Sequence, residues 1–111
     1  MDVKFENTNF ADDCNDFKRL VRRSNVQRAK LIRRRLDDLR AADSLDVMRN
    51  LPGRCHELKG NRDGQLSLDL DGPYRLIFCP AHDPVPTKDD GGLDWSQVTA
   101  IVVLEVVNTH E

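Results

Sequence analysis

No stretch of this 111-residue sequence approaches the roughly 20 consecutive apolar residues that a membrane helix needs. The opening MDVKFENTNF has no basic start followed by an apolar core, so it does not read as a signal peptide, and a cytoplasmic protein is expected. Cys14, Cys55 and Cys79 are odd in number and lack CxxC spacing, which argues against a disulfide framework and against a zinc site. They read as reduced thiols in small apolar positions. A glycine-rich phosphate loop, a metal-ligand motif and a Ser-His-Asp pattern are also missing, so neither metal nor cofactor is expected.

What is present is enough to fold. With 39% hydrophobic and 32% charged residues the composition is that of a globular protein, and the length allows one hydrophobic core, hence one domain over residues 1–111. The formal charge of −2 is unevenly spread: residues 1–64 carry a net +4 and residues 65–111 a net −6. From Lys18 to Arg35 there are nine basic residues and no acidic one, a density that attracts a polyanion. Composition leaves three readings of that run: a nucleic-acid surface, a solvated helix face, or a dock for an acidic protein segment.

Val3 and Phe5 alternate in a short N-terminal strand that ends at Asn7–Thr8–Asn9. Phe10, Cys14, Phe17 and Val21 recur at helical spacing and predict a first helix over about residues 10–22, capped by Asn9. Ser24 and Gln27 have capping-box spacing, and Val26, Ala29, Ile32, Leu36 and Leu39 carry an apolar stripe to about Ala42. Pro52–Gly53 then breaks the chain. Leu66, Leu68 and Leu70 alternate with polar residues, Asp71–Gly72 signals a hairpin, and Tyr74, Leu76 and Phe78 resume the alternation. Residues 80–97, with three prolines, read as a long mobile loop, and the β-branched run Val98–Val107 as a buried strand. The order is a strand, two helices and then three or four antiparallel strands, which predicts an α+β fold in which two N-terminal helices pack on a small, mainly antiparallel sheet.

The side chains available for chemistry are His56, Lys59, Arg62, Arg75 and His110, with His82 in the acidic loop. Cutting RNA without metal requires removing a proton from a 2′-OH, stabilising charge on the phosphate and protonating the leaving 5′-oxygen. Histidines beside Lys or Arg suit those tasks. An antiparallel sheet would bring His56, Lys59, Arg75 and His110 to one edge.

The block LPGRCHELKGNRDGQLSLDLDGPYRLIF, residues 51–78, resembles the signature of the HigB-like toxins of the RelE superfamily. There a Leu-Pro-Gly turn precedes His-x-Leu-Lys-Gly, then Gly-Gln, a hairpin and an aromatic-Arg-Leu strand. The Arg-rich helix before the block and the β-branched strand after it stand in the family's order. The resemblance implies a RelE-like fold and a type II toxin that enters the ribosomal A site and cuts mRNA by acid–base chemistry without metal or cofactor. It also implies a cognate antitoxin, usually a helix-turn-helix protein through which operator DNA is bound. His56 matches the family's first active-site histidine, Lys59 and Arg75 match its basic residues near the scissile phosphate, and His110 its terminal histidine. Arg62 is a further phosphate candidate by position, and Arg33 and Arg34 on the basic helix become candidates for ribosomal RNA.

Where the family reads Asp-Tyr-His at the end of its last strand, this chain reads Asn108-Thr109-His110. Asn is no carboxylate base and Thr cannot stack on a base, so Asn108 and Thr109 are expected to contact RNA without those functions. Glu105 reads as an acid on the opposite strand face from Asn108, because odd spacing separates them. The alternatives are a catalytically weakened toxin-fold protein acting through antitoxin binding, and a relative of the ParE branch, which poisons DNA gyrase.

Overall fold

The alternating leucines build one side of a core. In the computed structural model, which describes residues 1–110, β3 (Leu66–Asp69) and β4 (Tyr74–Pro80) form the expected hairpin, with Leu66 opposite Phe78 and Leu68 opposite Leu76. These four side chains are fully buried on one sheet face. β2 (His56–Glu57) extends the sheet beyond β3, and β5 (Ala100–Asn108) lies on the far side of β4. β1 (Asp2–Phe5) closes the order β1-β5-β4-β3-β2 by pairing parallel to β5. The sheet is mainly antiparallel, as expected: four strands follow the helices, and the expected N-terminal strand joins them as a parallel edge, giving five.

Helices cover the leucine face. The expected first helix is two: α1 (Thr8–Cys14) and α2 (Phe17–Arg23). Asp16 adopts an extended backbone and its carboxylate accepts from the amides of Lys18 and Arg19, which ends one helix and caps the next. Phe10, Cys14, Phe17 and Val21 nevertheless pack against one core, so the apolar spacing survives the break. α1 is capped by Asn7 rather than Asn9. α3 (Val26–Ala41) is capped by Asn25, whose side chain accepts from Arg28 N at 2.8 Å, and Ser24 instead closes α2 by donating to the Leu20 carbonyl. Ala29, Ile32, Leu36 and Leu39 of α3 are buried, whereas Val26 is exposed.

The basic run is partly consumed by the fold. Arg19 and Arg23 face the buried Asp13 at 3.3 and 3.6 Å. Arg28 pairs with Asp71 through two bonds of 2.9 and 3.1 Å and lies over the Tyr74 ring, which ties α3 to the β3–β4 turn. Arg35 is buried and donates to the Asp69 carbonyl at 2.9 Å. Lys18, Arg22, Lys30, Arg33 and Arg34 make no ion pair with a described residue.

Beyond Pro80, the end of β4, the chain to Asp94 is a long loop, as expected, and it is tied down at several points. Thr87 bridges Leu93, Asp94 N donates to Pro86 O, and Trp95 is buried with its indole N–H on Glu57 and Arg49 stacked at 3.9 Å. A single tryptophan supplies the apolar anchor that three prolines concealed. Among the described residues no helix is long and apolar enough to cross a membrane.

Candidate active site

Most of the candidate side chains gather on the sheet face turned away from the helices. Strand register sets two rows across it: His56 lies opposite Ser67, Ser67 opposite Ile77 and Ile77 opposite Glu105, while Asp69 lies opposite Arg75 and Arg75 opposite Val107. A shift in register after Ile77 leaves Leu104 as an extra residue in β5. Val103 and Val106 therefore both face the core side, and Glu105, Val107 and Thr109 share the other face. On that face opens a cleft of about 320 Å³ lined by Arg54, His56, Leu58, Arg62, Ser67, Arg75, Ile77, Val107 and Thr109.

His56 is half-buried, and its Nδ1 lies 2.8 Å from the main-chain carbonyl of Arg54. A carbonyl only accepts, so Nδ1 carries the proton and neutral His56 presents the lone pair of Nε2. Arg75 is held from three directions: Nε lies 2.8 Å from Asp69 Oδ1, and Nη1 donates to the Gly72 and Tyr74 carbonyls. Arg54 approaches the same Asp69 carboxylate at 3.1 Å. Arg62 donates to Gln65 Oε1 at 2.9 Å and stands 3.5 Å from Glu105 Oε2. Three guanidiniums thus face two carboxylates, leaving a positive balance beside an imidazole with a free acceptor, the arrangement an anionic substrate needs.

The cleft unites His56, Arg62, Arg75 and Thr109 among the sequence candidates. Lys59 is exposed and precedes the 3₁₀ turn Gly60–Arg62 that delivers Arg62. His110 is exposed, one residue beyond Thr109, with its amide on Asn108 Oδ1. Asn108 pairs with Tyr74 and lies on the helix side. Thr109 donates through both N and Oγ1 to the Pro73 carbonyl. Arg33 and Arg34 are on the outer helix surface with Phe17, Lys30 and Asp37, across the sheet from the cleft. His82 is structural: its Nε2 accepts from the amides of Thr99 and Ala100. Arg54 and Asp69 escaped the sequence reading. A lone Arg after Pro-Gly and an Asp in an alternating strand carry no motif, and only register brings them together.

A larger cleft, about 500 Å³, lies on the helix side against Phe10, Arg28, Ile32, Tyr74 and Val106. It contains no histidine, and its Arg28 is committed to Asp71. Among the described residues no three His, Cys, Asp or Glu side chains gather as a metal site requires.

Two solved structures share this fold. One is a YoeB/ParE toxin from Agrobacterium tumefaciens, 11% identical over 96% of this chain and 95% of that one, with a TM-score of 0.58. The other is a YoeB–YefM complex from Staphylococcus aureus, 17% identical over 96% and 93% of the respective chains, with a TM-score of 0.55. The chain therefore has the RelE-like fold of the YoeB/ParE toxins. No protein-family model and no curated protein matches the sequence.

Proposed function

We propose that this protein is the toxin of a type II toxin–antitoxin pair and acts as a ribosome-dependent endoribonuclease on mRNA in the A site. The observation that carries the reading is the cleft that joins His56, whose Nδ1 rests on the Arg54 carbonyl, to Arg75 and Arg62. His56 Nε2 takes the proton of a ribose 2′-OH, and the 2′-oxygen forms a bond to phosphorus as the P–O5′ bond breaks. Arg75 and Arg62 offset the charge on the phosphate oxygens. The leaving 5′-oxygen receives a proton from a neighbouring acid, for which Lys59 and His110 are the candidates beside the cleft. Products are a 2′,3′-cyclic phosphate and a 5′-hydroxyl. The unpaired cations Lys18, Arg22, Lys30, Arg33 and Arg34 suit ribosomal RNA on the opposite face.

The partner in this reading is a cognate antitoxin, in keeping with the complex among the structures of the same fold. The antitoxin carries any contact with operator DNA. One observation favours a second reading, a weakened toxin that acts through its antitoxin: the strand end offers no aromatic ring, and Asn108 faces away from the cleft. Induced expression distinguishes them. Growth arrest that a neighbouring small open reading frame relieves, and that His56→Ala abolishes while antitoxin binding persists, supports the nuclease; binding without arrest contradicts it. Arrest with a DNA-damage response and intact mRNA would instead indicate a gyrase-directed protein.

A further inference from the structure

Arg54 is the odd member of the cleft. It is the single non-glycine residue with positive φ (50°) among the described residues, and it follows Gly53, itself at φ 113°. The turn is pinned to β3 by Asp69 N donating to the Gly53 carbonyl at 2.7 Å. That geometry sends the Arg54 carbonyl to His56 Nδ1 and the Arg54 guanidinium back onto the Asp69 carboxylate, with Nε at 3.1 Å from Oδ2 and Nη2 at 3.4 Å from Oδ1.

Asp69 thus holds two guanidiniums with one negative charge, and the two are held differently. Arg75 is mostly buried, 20% exposed, and is fixed by two carbonyls as well. Arg54 is 67% exposed and has Asp69 alone. An exposed pair of this kind contributes little, so a phosphate with its own charge competes for Arg54 while Arg75 stays in place. We propose that Arg54 is a substrate-binding residue whose guanidinium, resting on Asp69 in the free protein, turns onto an RNA phosphate beside Arg75 and His56, with Asp69 as the positioning residue that keeps both arginines at the cleft. This assignment deepens the nuclease reading and rests on it for the identity of the phosphate.

The test is binding of a short fluorescent single-stranded RNA without ribosomes, so that cleavage is not involved, across a salt series. Arg54→Gly removes the guanidinium and suits the left-handed backbone, leaving the carbonyl on His56 in place. It is expected to weaken RNA binding about tenfold and to lower the salt slope by about 0.7, the share of one phosphate contact on a single strand. Arg54→Lys keeps the charge without the fork and is expected to retain the slope with an intermediate affinity. A folded Arg54→Gly with wild-type affinity and slope overturns the proposal. A wild-type protein that leaves translated mRNA intact sinks the nuclease reading, whereas the slope decides the role of Arg54 independently.

Discussion

Arg75 Nε and Asp69 Oδ1 meet at 2.8 Å across a directly opposed pair of β-strand residues, so the ladder that builds the sheet also aims the cation. Removing that cation tests whether the aim matters for chemistry. Arg75→Ala is expected to lower mRNA cleavage by about 10²–10³-fold, the usual loss of one charge-stabilising donor. Arg75→Lys is expected to recover only part, since a point charge cannot reproduce a fork that holds Asp69 and two carbonyls at once. Single-turnover rates on ribosome-bound mRNA provide the comparison.

The pair Arg28–Asp71 links α3 to the β3–β4 turn, and the hydrogen bond from Arg28 holds the Asp71 carboxyl below the usual carboxylate range. A depressed carboxylate contributes stability above its unfolded pKa, and that contribution is lost as pH falls through the folded value. Asp71→Asn is expected to destabilise the protein by roughly 2–3 kcal/mol at pH 7, because Arg28 then loses its anion in a half-buried site. The difference from wild type should begin to shrink below about pH 4, where Asp71 protonates in the unfolded chain, and should vanish once pH falls below its lowered value in the folded protein. Urea unfolding at several pH values measures it; a gap that grows on acidification would be contrary to this account.

Much of the fold was legible because local pattern and tertiary structure agree. The period-two leucines, the Asp71–Gly72 turn and the α3 stripe each state one face and one burial. The misreadings arose where a short polar feature decides. Asp16 splits a periodic helix with one side chain, and Asn7 and Asn25 cap α1 and α3 where Asn9 and the Ser24–Gln27 spacing offered themselves. The candidate site was legible in its histidine and basic residues through their motif, but not in Arg54 or Asp69, whose roles come from register and a left-handed turn. The anchor of the acidic loop was not legible, because Trp95 has no periodic neighbours to reveal its burial.

Gly53 is required for space as well as conformation. A Cβ there would lie 2.8 Å from Arg35 Nε and 3.0 Å from Leu68 Cδ2, at a φ of 113°. Arg35 is fixed by its bond to the Asp69 carbonyl and cannot retreat cheaply. Gly53→Ala is expected to cost about 2–4 kcal/mol and to lower the melting temperature accordingly, with a loss in cleavage from the displaced Arg54–His56 turn. Thermal unfolding unchanged from wild type would show that the turn has room to relax.

Burial pushes the Cys14 and Cys55 thiols up to about 12, and burial raises that of Cys79 too. Thiolate is the reactive form, so at pH 8 the folded protein should alkylate at Cys14 and Cys55 roughly a thousandfold more slowly than after unfolding. Mass spectrometry after iodoacetamide treatment, with and without urea, gives both rates. Rapid labelling of Cys55 in the folded protein would contradict its partly buried setting against the core.

The activity proposed for the helix-free cleft is cleavage of mRNA on the ribosome. Primer extension on a reporter mRNA in a reconstituted translation system tests it most directly, with wild-type protein and His56→Ala, each with and without ribosomes. The account predicts cuts within codons that require both ribosomes and His56, with the variant slower by about 10²–10⁴-fold as expected for loss of a general base. Intact mRNA in the presence of ribosomes and folded wild-type protein, or equal cutting by His56→Ala, would contradict it.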